Sequence, residues 1–102
     1  MASYPLSIIT PEGKKFDGLI ESVIAPGVEG FFEILNDHAP YLASLKKGMV
    51  TLKQKGQRSY FAIGSGVLEV NLKHEVLLLS DFAIPALAPQ EIQSKLKEAS
   101  AS

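Results

Sequence analysis

The chain has 102 residues and a mass of 11.0 kDa, enough for one domain that buries a core without covalent staples. Its 46% apolar content fits a folded globule, while a net charge of −1 and a pI near 6.1 lack the basic field of a nucleic-acid binder. With no cysteine, disulfides, thiolate zinc sites, iron–sulfur clusters and cysteine nucleophiles are excluded together. No apolar run approaches the ~20 residues of a membrane span, and the N-terminal stretch does not read as a signal peptide. The expectation is a cytosolic chain, or one held at a membrane through partners.

Turn signals at Pro11-Glu12-Gly13, Pro26-Gly27, Asn36-Asp37, Lys47-Gly48, Lys55-Gly56 and Gly64-Ser65-Gly66 divide the chain into short apolar runs. Leu6, Ile8 and Thr10 alternate with Ser7 and Ile9. The stretch from Leu19 to Ala25 reads as one strand, with Ile20, Ser22 and Ile24 on one face and Glu21 and Val23 on the other. Further strands are expected from Met49 to Gln54, from Ser59 to Ile63, and from Val67 to Leu72, where Leu68, Val70 and Leu72 oppose Glu69 and Asn71. Val76-Leu77-Leu78-Leu79 is continuous, as for a strand covered on both faces or one at the sandwich centre. Gly64-Ser65-Gly66 precedes a strand rather than a helix, so it reads as a tight hairpin and not a phosphate cradle. Pro85-Ala86-Leu87-Ala88-Pro89 then breaks the strand pattern. Pro89 suits a first helical position, and Ile92, Leu96 and Ala99 share one face of a short helix that needs a surface to lie on. The fold expected is all-β: a flattened β-sandwich or barrel of about ten short strands over residues 1–87, followed by one short C-terminal helix in a tail over 88–102.

The densest polar segment runs from Glu29 to His38. Its Glu29, Glu33, Asp37 and His38 are residue types that bind metals or move protons, but Asn36-Asp37 are ordinary turn residues. His38 and His74 are far apart in sequence, and no recurrent metal-ligand spacing is met. Ser65 has no G-x-S-x-G frame, so nucleophilic catalysis has no support. Lys14-Lys15, Lys46-Lys47, Lys53, Lys55 and Arg58 read as solvated loop charges. Phe31 and Phe32 are adjacent, so on a strand they face opposite sides: either both are covered, or one is exposed as an interface anchor. By chemistry alone the chain is a small all-β interaction domain, with a metal- or ligand-binding module as the alternative.

A longer series points further. Leu6-Ser7-Ile8-Ile9-Thr10-Pro11-Glu12-Gly13, Phe16-Asp17-Gly18, Ile24-Ala25-Pro26-Gly27-Val28-Glu29-Gly30, His38-Ala39-Pro40-Tyr41-Leu42, Lys46-Lys47-Gly48 and Gly64-Ser65-Gly66-Val67-Leu68-Glu69-Val70 follow one another over about positions 4 to 86. In order and spacing this resembles the epsilon subunit family of the F-type ATP synthase. The resemblance implies a central-stalk, rotor component without chemistry of its own. Its implied partners are the gamma subunit and the c-ring within the alpha/beta/gamma/delta/epsilon F1 assembly, and its implied place is the cytoplasmic face of a bacterial inner membrane or a plastid thylakoid. It also implies that Glu29, Gly30, Phe31, Glu33, Asp37 and His38 form the loop region facing those partners. The family often has an acidic residue where this chain has Phe31 and a glycine where it has Glu33, so Glu33 is expected to take over the acidic contact. Longer members carry a C-terminal helical hairpin, and some bind ATP at a D-x-x-R-A-like helix start. Ala88-Pro89-Gln90-Glu91-Ile92-Gln93 has no arginine there, so no ATP site, no cofactor and little hairpin-type inhibition are expected; Ile92 and Leu96 are expected to dock the tail on the sandwich or on gamma.

Overall fold

The computed structural model describes the backbone of residues 2–100 and the side chains of 2–99, so the tail expected over 88–102 is seen to residue 100. Ten strands follow in order: β1 (Tyr4–Thr10), β2 (Gly13–Ile20), β3 (Ser22–Gly27), β4 (Gly30–Leu35), β5 (Tyr41–Leu45), β6 (Gly48–Gln54), β7 (Gln57–Ile63), β8 (Gly66–Val70), β9 (Val76–Ser80) and β10 (Ala83–Ala86). A 3-10 turn at Pro89–Glu91 leads into α1 (Ile92–Ser100). Pairing runs β10-β7-β6-β3-β5-β8-β9-β1-β2, with β4 added to β3. The sheet is folded over into two layers of five strands, joined where Gly27 of β3 meets Leu45 of β5. Every pairing is antiparallel except β1 with β9, which ties the start of the chain to its ninth strand in parallel. On the opposite side the layers are drawn together where the Gln54 Nε2 donates to the Leu19 carbonyl at 2.9 Å.

The period-two pattern explains the interior. Leu6 and Ile8 of β1, Ile20 of β2, Val23 of β3, Ile34 of β4, Leu52 of β6, Ile63 of β7, Leu68 of β8 and Leu78 of β9 are all fully buried in one cluster. A smaller cluster lies outside the first layer, where Ile92 and Leu96 of α1 are buried over Ala62 and Ala86, with Met49, Tyr60 and Phe82 around them. An isolated nine-residue helix is not stable in water, and this apolar contact with β7, β10 and β6 is what holds it.

Four local expectations are corrected, and the one that left β9 two settings is narrowed to one. Leu19–Ala25 is two strands, because the chain changes layers at Glu21; Val23 then fills the core while Ile24 faces outward. The strand expected from Val67 to Leu72 ends at Val70, and Leu72 is exposed in a turn whose Asn71 side-chain oxygen accepts from the Lys73 and Glu75 amides. β9 takes the central place in its layer, between β8 and β1, and is not covered on both faces: Val76 and Leu78 are buried, but Leu79 is 39% exposed. Gly64-Ser65-Gly66 is no hairpin, since β7 and β8 are not paired and the segment crosses between layers. It crosses tightly against the chain at 79–82: a Cβ on Gly64 would lie 2.8 Å from the Phe82 ring, and one on Gly66 only 1.8 Å from the Leu79 carbonyl oxygen. Finally, Pro85 does not end the sheet but sits in β10, an edge strand where its missing N–H is tolerated.

Candidate partner-contact surface

The β3–β4 hairpin turns at Val28-Glu29, pairing Gly27 with Gly30. Gly27 lies beneath the hairpin's own aromatic: a Cβ there would come 2.8 Å from the Gly30 carbonyl and 3.0 Å from the Phe32 ring. Gly30 has φ 131, a conformation that side chains disfavour. The turn is fastened to β5 and its following loop by Val28 N–H donating to Ser44 O at 3.0 Å and Lys46 N–H donating to Pro26 O at 2.9 Å.

From Gly30 onward alternation separates two faces. Phe32 and Ile34 turn inward; Phe32 packs on the main core and meets Tyr41 edge-on at 5.6 Å, and the Tyr41 ring lies 5.4 Å from His38. Phe31, Glu33 and Leu35 turn outward, with Phe31 62% and Leu35 55% exposed. Beneath them the Tyr4 hydroxyl, buried in the core, donates to the Ile34 carbonyl and pins β4 from the inside. Burial pushes the Tyr4 phenol well above its ordinary pKa; the Glu33 carboxylate adds to the shift and a backbone hydrogen bond at Val23 opposes it.

An open groove of about 410 Å³ separates β4 from β5, with Phe31 and Phe32 on one side and Tyr41, Leu42 and Ser44 on the other. Asp37 follows β4 at φ 65, a left-handed turn position that aspartate tolerates, and the His38 amide donates to the Leu35 carbonyl at 3.2 Å. The two histidines, far apart in sequence, belong to neighbouring loops: the His74 Nδ1 lies 3.2 Å from the His38 carbonyl. Among the described residues, however, no three of His, Asp or Glu come together as a metal site.

Glu29, Gly30, Phe31 and Glu33 therefore share one exposed hairpin, and Asp37 and His38 share the loop after it. Ile92 and Leu96 lie elsewhere, under α1 on the first layer. Sequence reasoning passed over Leu35 and Leu42, the latter 70% exposed. Leu35 carried a readable signal, since it continues the alternation of Phe31 and Glu33. A second apolar surface was also missed. Val67, Leu79 and Ile9 form a cross-strand row on the outside of the second layer, where Val67 is paired with Leu79 and Leu79 with Ile9.

The fold and this surface define a small β-sandwich that presents apolar side chains on an exposed hairpin, in the manner of a recognition subunit. Comparison with known proteins makes the assignment specific. Residues 3–86 match the family described as ATP synthase, Delta/Epsilon chain, beta-sandwich domain, and the chain belongs to that family. It is 43% identical over 81 residues to the ATP synthase epsilon chain of Chlorobium limicola, covering 78% of this chain and 91% of that one. The ATP synthase epsilon chain of Helicobacter pylori is 37% identical over 84 residues, covering 82% of this chain and 68% of that one. Among solved structures, one chain of the Euglena gracilis mitochondrial ATP synthase OSCP/F1/c-ring assembly superposes with a TM-score of 0.78 at 19% identity, over 99% of this chain and 66% of that one. A chain of the Tetrahymena thermophila mitochondrial ATP synthase central stalk/c-ring gives 0.68 at 15%, over 97% of this chain and 91% of that one. At those identities the superpositions speak for the fold alone.

Proposed function

We propose that this chain is a central-stalk subunit of an F-type ATP synthase, binding the gamma subunit and the c-ring and helping to couple ion flow through the ring to ATP synthesis. It performs no chemistry and works by contact, as a peripheral component at the cytoplasmic face of a bacterial inner membrane. Among the described residues no helix is long and apolar enough to cross a membrane; in this reading attachment runs through partners. The observation that carries this reading is the family match over the whole sandwich, in which the exposed hairpin at Glu29–His38 offers Phe31 and Leu35 between Glu29, Glu33 and Asp37. Exposed aromatic and aliphatic groups rimmed by charge suit a protein interface. Glu33 supplies the acidic contact, and the α1 tail stays docked on β6, β7 and β10 through Ile92 and Leu96.

The test is a pull-down of the tagged chain from solubilised native membranes, with bound proteins identified by mass. Recovery of gamma with the alpha and beta head subunits and the c-ring is expected. A preparation holding none of them would overturn the proposal. Glu33→Lys should lower that recovery, and undiminished assembly would remove Glu33 from the contact.

A further inference from the structure

Among the described residues three strands, β2, β10 and β4, pair on one side only, and their edges are not alike. The β2 edge carries Lys14 and Lys15, each in an ion pair at 3.1 Å with Asp17 and Glu12, and its pairing with β1 is broken by a bulge between Ile8 and Ile9. The β10 edge is four residues long and contains Pro85. Charge, a bulge, shortness and proline are the means by which sheets keep other chains from adding to them. The β4 edge has no bulge, proline or lysine: Gly30-Phe31-Phe32-Glu33-Ile34-Leu35 is six residues rich in types that favour strands, and its single charge is Glu33.

The direction of its free main-chain groups follows from β3. The Pro26 carbonyl accepts from Lys46, on the side of β3 away from β4, so Pro26, Ile24 and Ser22 turn their polar groups that way. Ala25 and Val23 turn theirs toward β4 and bond Phe32 and Ile34. The amides of Phe31, Glu33 and Leu35, with the carbonyls of Phe31 and Glu33, therefore point outward from the edge. Among the described residues, no hydrogen bond outside the β3 ladder engages the main chain of Phe31 or Glu33.

We propose that the β4 edge receives an extended segment of a partner protein as an added antiparallel strand, with a lysine or arginine of that segment set beside Glu33. This rests on the reading of Glu29–His38 as the partner-contact segment and adds how the contact is made: main-chain hydrogen bonds give the hold, and Phe31, Glu33 and Leu35 select the sequence. The charge identifies the occupant. From Glu29 to Asp37 the chain carries Glu29, Glu33 and Asp37 and no lysine or arginine. A second copy of this chain is a poor occupant, because the register that pairs all three outward positions sets Glu33 opposite Glu33. A basic segment relieves that repulsion.

The experiment is residue-resolved amide hydrogen exchange on the intact chain, alone and assembled with purified gamma and c-ring. In the free chain Phe32 and Ile34 exchange slowly, and Phe31, Glu33 and Leu35 exchange fast. Strand addition slows the last three by at least about 100-fold on assembly. If the chain assembles and those amides stay fast, strand addition is wrong and the partner reading survives. If it does not assemble, both are wrong. Glu33→Pro, which deletes one outward N–H and spares the β3 ladder, should weaken assembly by about tenfold or more. Glu33→Gln, which keeps that N–H, should weaken it less. Slow exchange at Phe32 and Ile34 in Glu33→Pro verifies that its β4 still pairs with β3, and equal affinity of such a folded variant and the parent chain would refute the proposal.

Discussion

Tyr4 offers a test of how β4 is held, because its hydroxyl joins β1 to the Ile34 carbonyl through the core. In Tyr4→Phe the ring still fills its site and Ile34 keeps its place in the β3 ladder, so the loss is that of one hydrogen bond. That is about 1 kcal/mol near neutral pH. The alkaline limb gives a second and independent reading. The folded-state pKa of Tyr4 is raised above its ordinary value of 10.0, chiefly by burial. Its contribution is fully present below pH 10 and is lost as pH rises toward the folded value, because the unfolded chain releases the proton first. The loss amounts to about 1.4 kcal/mol by one unit above the unfolded pKa.

Urea unfolding of both forms from pH 7 to 11 should therefore show Tyr4→Phe less stable at neutrality, crossing the parent near pH 10.5 and slightly more stable at about pH 11. Parallel curves throughout would refute the burial of this phenol. A parent curve unaffected by the substitution at pH 7 would refute the hydrogen bond to Ile34.

Gly66→Ala places a methyl 1.8 Å from the Leu79 carbonyl, which no side-chain motion relieves, so it should cost about 3 kcal/mol or more or abolish folding, read by thermal unfolding. Leu96→Ala should detach α1, with a local cost of about 2 kcal/mol; far-UV dichroism loses helix and proteolysis cuts after β10, while the two-layer core persists. Removing residues 88–102 should leave ATP hydrolysis by the assembled enzyme close to that with the full chain, and strong activation would contradict a tail docked on the sandwich. The Lys14 ammonium holds the exposed Asp17 carboxylate below its usual pKa, so any stability it adds is present above that range and fades as pH falls through the lowered value. An NMR titration should find Asp17 low, and Asp17→Asn should leave the melting temperature at pH 7 almost unchanged.

Where a strand has one wet and one dry face, the sequence is enough to orient it, as Leu68 and Val70 against Glu69 demonstrate. The reading fails where the alternation is real but its context is not local. Ile20, Ser22 and Ile24 continue one pattern across Glu21, yet the chain passes there from one layer to the other, and nothing in the residue types marks the change. Val76–Leu79 hides its alternation because Leu79 belongs to an apolar outer surface. Gly64 and Gly66 have the composition of a hairpin; what requires them is the Phe82 ring and the Leu79 carbonyl, contributed by a segment some fifteen residues on. At the candidate site, resemblance located the segment and alternation placed Phe31, Glu33 and Leu35 on one face. That β4 is an edge could not be read, since edge status depends on where β3, β5 and β6 pair.

Topology also accounts for how an exposed strand stays in place. β4 has a ladder on one side only, and single-sided strands fray when nothing else restrains them. Here three devices fix it without closing its edge. Gly27 lets the Phe32 ring lie down on the hairpin, Val28 ties the turn to Ser44, and Tyr4 reaches through the core to Ile34. The inward residues Phe32 and Ile34 thus position the strand, and the outward residues are left free to meet a partner at little ordering cost. A contact surface on a mobile loop would lose that advantage. Weakening the inner anchor while leaving Phe31, Glu33 and Leu35 untouched should therefore reduce assembly, so Tyr4→Phe is expected to bind gamma and the c-ring less tightly although it touches neither.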